Sequence, residues 1–548
     1  MALNKIIIYQ IFTRLFGNDQ QARKPFGTIE ENGCGKFNAF TPSVLKRFRE
    51  RGITHVWYTG VIRHATMTDY TKYGIPRQHP AVVKGRAGSP YAITDYYDVD
   101  PDLATNVEKR MEEFEKLVNR THRAGLKMII DFVPNHVARQ YHSICAPKGV
   151  RDLGADDAPT QGFNPVQNNF YYCPGQSFSP YFDLYHGEKE PYQEEPAKAT
   201  GNDCFNNAPG KNDWYETVKL NYGVDYYAGG IGHFEPIPST WHKMLDILRF
   251  WAGKGVDGFR CDMAEMVPAA FWAWATARVK EQYPELLFIG EVYNPNEYRN
   301  YIASGFDYLY DKVGMYDVLR DIICHRRGTH DITQAWQQTN DINSHMLYFL
   351  ENHDEQRIAS DFFAGDGMKA IPALLVAALL QDNPFMLYAG QEYGERGMDE
   401  EGFSGRDGRT TIFDYWSLPC LSKKSGEISS PLTAIYDKVL SIAQKEEAIR
   451  EGQMFDLMYA NTQYGAQYAF LRSNKKETLL IVVNFEDTAI DMHLTLPAHA
   501  FDYLGLEARR CKAEDLLTGN TLDLTLKRDA QVMIPLKSCS GVILKLKK

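Results

Sequence analysis

Eight short apolar runs lie between Ile6 and Tyr388, and several of them are entered from an amphipathic helix and left through a polar cluster. That repeated step from helix to strand constrains the fold more than any other feature. In the clearest unit, Thr105 and Glu108 make a capping box ahead of Met111, Phe114 and Val118 at helical spacing, Gly125 ends the helix, and the strand Met128 to Phe132 follows at once. The step recurs where Trp241 to Trp251 reads as helix before Gly255 and the next strand, and again where Phe271 to Gln282 precedes Pro284. The strands read from the pattern are Ile6 to Gln10, Thr54 to Tyr58, Met128 to Phe132, Val256 to Cys261, Leu287 to Gly290, Tyr308 to Tyr310, Met346 to Leu350 and Phe385 to Tyr388. Alternation of this kind makes a parallel sheet, and eight strands close it into a (β/α)8 TIM barrel of the α/β class, with chemistry at the C-terminal strand ends.

Two stretches break the alternation. From Val137 to Asn221 the chain is rich in Pro, Gly, Asn, Asp and aromatics with little helical period, and is too long for a simple loop. It reads as an inserted domain after strand three, forming one wall of a cleft, with Tyr171, Tyr172 and Trp214 as aromatics that either bind or pack its own core. Beyond Glu451 short alternating strands such as Tyr468 to Leu471 and Leu479 to Phe485 read as an antiparallel β-sandwich. The expected domains are therefore 1–136 and 222–450 for the barrel, 137–221 for the insertion and 451–548 for the sandwich, a division that a chain of 548 residues requires.

Charge and cysteine usage narrow the function. A net charge of −10 disfavours a phosphate-backbone partner and fits a neutral substrate, so no nucleic acid is expected. Nine cysteines without CxxC spacing argue against a zinc or disulfide framework, and alternation turns Cys261 into packing. The start, Met1 to Lys5 running into Ile6 to Tyr9, has no signal-peptide pattern, and the apolar stretch Ala370 to Leu380 is too short for a membrane span. As written the chain reads as cytoplasmic, or as extracellular or periplasmic if a signal has been removed.

Two strand ends carry carboxylates. Gly258-Phe259-Arg260-Cys261-Asp262 places Arg260 and Asp262 on one face, so a guanidinium should keep Asp262 ionised as a nucleophile. Phe288-Ile289-Gly290-Glu291 has no basic neighbour in sequence, an environment expected to keep Glu291 protonated as a general acid. Singly, such residues cap helices or join surface ion pairs. Two further strand ends, Met128 to His136 and Leu347 to Asp354, run into polar clusters at the same end of the barrel. Paired carboxylates in that setting suit a glycosidase.

Asp131-Phe132-Val133-Pro134-Asn135-His136, Gly258 to Asp262, Gly290-Glu291-Val292 and Asn352-His353-Asp354 resemble, in order and strand position, the four signature regions of the α-amylase family, glycoside hydrolase family 13. Asp382 to Glu392 resembles the family's eighth strand and loop, with Asp382 where relatives have glycine. The resemblance implies a retaining α-glycosidase acting on α-glucans or malto-oligosaccharides. Asp262 is then the nucleophile, Glu291 the acid and base, and Asp354 the transition-state stabiliser. Tyr91, His136, Arg260, His353 and Arg357 are implied as substrate-binding residues. No cofactor is required. Calcium is possible at Asn135, which matches a family ligand, whereas Cys34 and Lys36 replace the oxygens needed in the loop Glu31 to Lys36. Ala92, where exo-acting relatives carry Asp, weighs against an exo-glucosidase, and Met263-Ala264-Glu265-Met266 replaces a Lys-His pair on the leaving-group side.

Other readings remain open at this stage. The same glycosyl-enzyme could be intercepted by a sugar, as in a transglycosidase or a trehalose-synthase-like isomerase. A catalytically silent carbohydrate-binding relative would share the fold, and a metal-dependent barrel lyase or racemase would leave His136 and His353 unexplained.

Overall fold

The computed structural model describes residues 5–185, 187–398, 407–422 and 429–547; Met1 to Asn4, read above for a signal, lie outside the described residues. Eight parallel strands close a barrel: β1 (Ile7–Phe12), β2 (His55–Thr59), β3 (Lys127–Phe132), β4 (Gly258–Cys261), β5 (Leu287–Gly290), β6 (Tyr308–Tyr310), β7 (Met346–Phe349) and β8 (Phe385–Tyr388). Each strand pairs with its neighbours in chain order, and β1 with β8 shuts the ring. Alternation sorts the side chains. Ile8, Trp57, Ile129, Ile289, Leu347 and Met386 pack inside the barrel, while Ile7, Val56, Met128, Phe259 and Phe288 belong to the core shared with the surrounding helices.

The helices lie where the periodicity places them, over Arg110–Arg123, Ser239–Gly253 and Ala269–Lys280. The capping box at Thr105 does not form. A 3-10 turn over Val107–Lys109 precedes the helix, Asn106 caps that turn at Glu108 N, and Glu113 reaches back to the N–H groups of Thr105 and Asn106. The tighter turn shifts the cap by one residue and hands the acidic role to the next turn of helix.

Between β3 and the helix at Ser239 the described residues carry short antiparallel pairs, His136–Ala138 with Thr217–Lys219, Tyr172–Cys173 with Ala197–Lys198 and Val224–Asp225 with Ile231–Gly232. Within residues 453–547 lie a six-stranded antiparallel sheet and a separate pair, Ile490–Leu496 with Ala530–Leu536. Ala370 to Leu380 is a buried helix, Ile371–Leu379, packed between barrel and sheet; a Cβ on Gly541 would come within 2.4 Å of Leu375. Among the described residues no helix is long and apolar enough to cross a membrane.

One buried cation ties the terminal sheet to the barrel. Arg472, 2% exposed, donates to the carbonyls of Leu380 (3.0 Å), Ala448 (3.1 Å) and Ile449 (2.7 Å). Nearby, Lys5 donates to Gln381 O at 2.6 Å, and burial lowers its ammonium to about 7. Asp382, the departure from the family glycine, lends its negative charge to both cations. Replacing Arg472 by Met would take a donor from three carbonyls, of which Ala448 O keeps Gly452 N at 3.1 Å, at roughly 1–3 kcal/mol for each one left unsatisfied where water cannot reach it. Arg472→Met is expected to lower the unfolding free energy by about 3 kcal/mol in urea titration; an unchanged midpoint would show that the docking rests on apolar packing alone.

Candidate active site

Arg260 organises the site. It projects from β4 in register with Asp131 on β3 and Ile289 on β5, and its guanidinium lies 5.3 Å from the Trp57 ring, 5.5 Å from Tyr91 and 5.6 Å from Tyr310. Nη1 hydrogen-bonds Asp262 Oδ1 at 2.7 Å, and Nη2 lies 2.8 Å from Glu291 Oε2. One fork therefore faces both carboxyls. The expectation that Glu291 has no basic partner fails because the partner comes from the adjacent strand, which neighbours in sequence do not reveal.

Glu291 has both oxygens hydrogen-bonded, and Asp262 only one. Glu291 Oε2 also accepts from Met263 N at 2.7 Å, an N–H aimed there by left-handed backbone at Met263 (φ 44°), a conformation that costs a non-glycine residue energy. Glu291 Oε1 accepts from the Tyr293 hydroxyl at 2.5 Å. Asp262 Oδ2 is buried with no hydrogen-bond partner, and His136 Nε2 is 3.9 Å from it. Burial drives the Asp262 carboxyl well above the usual carboxylate range; Arg260 opposes the shift and the charge of Glu291 adds to it. Arg260 thus moderates the rise that was expected to be absent.

The other site residues close round this pair. His353 Nδ1 is 2.8 Å from Gln10 Nε2, which leaves Nε2 to face Asp354 Oδ2 at 3.1 Å and the Tyr91 hydroxyl. Burial lowers His353 well below the usual imidazole range and His136 to about 3, so both rings are neutral. Asn352 Oδ1 caps the turn by accepting from Asp354 N and Glu355 N, holding Asp354 at the cavity with its side chain 38% exposed. A cavity of about 270 Å³ is lined by Asp262, Glu291, Asp354, Tyr91, His136 and Tyr293, among others.

Four of the expected residues do not line the cavity: Arg260 and His353 lie behind it against Asp262 and Tyr91, and Arg357 and Asn135 are engaged elsewhere. Arg357 is fully buried, paired with Glu351 at 2.9 Å, bonded to Thr410 Oγ1 at 3.0 Å and stacked 3.9 Å from the Tyr388 ring, so it braces the loop after β7 and does not line the cavity. Asn135 donates to Gly201 O at 2.7 Å and accepts from Lys219 Nζ at 2.5 Å, and that ammonium also lies 2.7 Å from Asp203. A calcium ion needs six to eight oxygens; a lysine on the Asn135 oxygen does not fit it. Among the described residues a cluster of Asp95, Asp98 and Cys145 has metal-ligand spacing, but Arg63 and Arg110 already neutralise it.

Of the aromatics of the 137–221 stretch, Tyr171 packs against Phe205 and Tyr226 and Tyr172 is buried, whereas Trp214 lines the cavity beside His136. Tyr293, Gln10, Lys84, Glu216 and Phe413 also belong to the site or support it, and the sequence reading missed them. Only Tyr293 carried a signal, standing two residues after Glu291, where an extended chain returns to the same side.

An eight-stranded barrel with three carboxylates at its strand ends around a sugar-sized cavity has the architecture of a barrel glycoside hydrolase. The α-amylase catalytic-domain family matches residues 10–437, and the chain belongs to the α-amylase family, glycoside hydrolase family 13. It is 25% identical over 430 residues to alpha-amylase 3 of Dictyoglomus thermophilum, spanning 72% of this chain and 74% of that protein. It is 22% identical over 508 residues to a cyclomaltodextrinase from Bacillus sp, spanning 87% and 72%. Its fold matches a maltogenic alpha-amylase from Thermotoga neapolitana with a TM-score of 0.65 at 20% identity over the whole of both chains.

With Oε2 held by Met263 N and facing Arg260, Oε1 accepts from the Tyr293 hydroxyl; were Glu291 the acid, Oε1 would exchange the proton and Tyr293 would steady the carboxylate. Tyr293→Phe is expected to cut kcat/KM about tenfold, roughly 1.4 kcal/mol, on glycosides whose leaving group needs protonation, and much less on a glycosyl fluoride. Equal losses on both would assign Tyr293 a packing role only.

Proposed function

We propose that the chain is a retaining α-glycosidase that hydrolyses α-glucosidic bonds in α-glucans or malto-oligosaccharides through a covalent glycosyl-enzyme. The observation that carries this reading is the single guanidinium facing both carboxyls, at 2.7 Å and 2.8 Å. A planar fork that reaches two carboxyls holds them side by side, as the ~5 to 5.5 Å separation of retaining enzymes requires. The alpha-amylase and cyclomaltodextrinase names of its relatives support α-glucans as the substrate class.

In this reading Asp262 Oδ2, the oxygen that no donor holds, attacks the anomeric carbon. The bond from that carbon to the glycosidic oxygen breaks as Glu291 Oε1 passes its proton to the departing oxygen. A water then gives a proton to the Glu291 carboxylate and bonds to the anomeric carbon, and the ester to Asp262 breaks with its electron pair returning to the carboxylate. Tyr91, His136 and Asp354, which line the cavity, contact the sugar ring while charge develops on it, and His353 acts behind them through Tyr91 and Asp354. Arg260 acts through both carboxyls, and Lys219 stands at Asn135 in place of a calcium ion.

Two measurements test the reading. Incubation with maltoheptaose should release shorter malto-oligosaccharides or glucose, and Asp262→Asn should abolish this with little change in folding, since it removes the nucleophile at nearly constant volume. Products longer than the substrate would replace hydrolysis by transfer, and near-wild-type activity in the variant would exclude Asp262 as nucleophile. The second measurement is the pH dependence of kcat/KM, which reports groups of the free enzyme. Asp262 must lose its proton to attack, and burial raises its carboxyl. Activity should therefore grow as pH rises through that raised value, with the acid limb well above the ~3.9 of an ordinary aspartate. A limb at or below about pH 4 would contradict the buried environment described here.

A further inference from the structure

Arg14 is a buried cation that the proposed reaction leaves unused. It stands in the 3-10 turn Thr13–Leu15 that follows β1 and is 3% exposed. Its guanidinium faces backbone carbonyls: Nη1 donates to Gly88 O at 3.1 Å and Ile412 O at 3.2 Å, and Nη2 to Gly88 O at 3.1 Å and Ala87 O at 3.3 Å. The rings of Phe12 and Tyr415 lie 5.3 and 5.8 Å from it. A charge taken out of water is costly, and neutral carbonyls and rings offset less of that cost than a carboxylate in contact does. What a neutral amide cannot do from one position is span two chain segments, and the planar fork of an arginine can.

The segments it spans are two walls of the catalytic cavity. Ala87 and Gly88 belong to the loop after β2, which brings Ser89 and Tyr91 to the cavity, and Ile412 belongs to the loop after β8, where it lines the cavity with Phe413. The two loops also bond to each other, since Ala87 N and Gly88 N donate to Phe413 O at 2.9 and 3.0 Å and Arg86 N to Asp414 Oδ1 at 2.7 Å. Gly88 makes the close turn this needs, with φ at 81° and Ala65 O where a Cβ would sit. One cation thus fastens both walls to the end of β1.

The fork is itself aimed. His64, also 3% exposed, has Nε2 2.6 Å from Arg14 Nη2. A guanidinium only donates, so Nε2 is the acceptor and the ring proton sits on Nδ1, 2.9 Å from Ile62 O and 3.1 Å from Asp100 Oδ2. Burial and the charge of Arg14 lower the ring to about 3, which keeps it neutral. Asp100 is fixed in turn through Oδ1, which accepts from Asp102 N at 2.9 Å, and Asp102 accepts the hydroxyls of Tyr70 and Tyr415 at 2.6 and 2.7 Å. We propose that Arg14 is a positioning residue: aimed by His64, it sets the spacing of the two loop walls, and with it how tightly the cavity holds a substrate, while touching neither substrate nor reacting carboxyls. Those carboxyls have an anchor of their own in Arg260, so binding and chemistry should respond separately.

The kinetic test rests on the α-glucan reading above, and a second readout keeps the two separable. Arg14→Lys keeps the charge but loses the fork. With maltoheptaose as substrate it is expected to raise KM about tenfold and leave kcat within about twofold, the pattern of lost uniform binding. His64→Asn, whose amide is too short to reach Arg14, should act in the same direction, whereas His64→Gln, whose amide oxygen reaches nearly as far as Nε2, should keep KM near that of the wild type. A role confined to folding would lower the melting temperature and kcat in all three and treat Asn and Gln alike, which overturns the proposal. So does an unchanged KM in Arg14→Lys. Hydrogen–deuterium exchange needs no substrate: Arg14→Lys or, where that variant does not fold, His64→Asn should speed exchange in residues 84–92 and 408–415 about fivefold or more, with β4 and β5 unchanged. If the wild type leaves maltoheptaose intact while exchange behaves in this way, the α-glucan reading falls and the positioning role stands. Equal exchange in variant and wild type overturns the positioning role whatever the substrate.

Discussion

The guanidinium of Arg260 is the constraint on which the site is built. A cation nearly sealed inside a barrel is tolerable only with anions and aromatic faces around it, and the surrounding strands supply both: Asp262 follows its own strand, Glu291 follows β5, Asp131 stands in register on β3, and Trp57, Tyr91 and Tyr310 present their rings. The same placement that satisfies Arg260 fixes the two reacting carboxyls relative to each other. Stability and catalytic geometry are therefore one requirement here, and any side chain that relaxed one would relax the other.

That requirement leaves Asp262 with one oxygen no donor holds, and Glu291 with one oxygen that meets only the Tyr293 hydroxyl. Asp262 is held through Oδ1 and presents Oδ2; Glu291 is held at Oε2 and presents Oε1 to Tyr293. The difference between the two working oxygens matches their tasks. A nucleophile gains from having no donor to shed before it attacks, whereas a proton donor gains from a hydroxyl that stabilises the carboxylate it becomes. Neutral imidazoles at His136 and His353 contribute to the same balance, since charged ones would oppose the positive charge that grows on the sugar.

How much of this was legible in the sequence depends on how local its cause is. The strands, the barrel and the strand-end clusters follow from periodicity over a few residues, and Arg260 beside Asp262 follows from alternation within one strand. The pairing of Arg260 with Glu291 depends on lateral register between β4 and β5, and no spacing in the sequence encodes it. Asn106 displaced Thr105 as a cap because a 3-10 turn intervened, a choice made by tertiary packing. Lys84 and Glu216 come from irregular segments whose course the sequence pattern does not specify. Arg357 carried a family signal for sugar contact, yet its side chain turns under the site to Glu351.

The division between barrel and loops also explains why family membership leaves specificity open. The strand ends deliver the reacting groups, but the leaving-group side is made by the turn after β4, where this chain has Met263 to Met266 in place of a Lys-His pair. There Glu265 Oε2 accepts the N–H groups of Tyr293 and Asn294, both at 3.0 Å, and Tyr301 donates its hydroxyl to the carbonyls of Glu265 and Val267. The Glu265 carboxylate thus holds the loop that carries Tyr293, and Tyr293 in turn donates to Glu291 Oε1. Under the proposed reaction the turn after β4 therefore positions the acid through Tyr293, so the acceptor side of this site is shaped by the demands of proton transfer as much as by the sugar it receives.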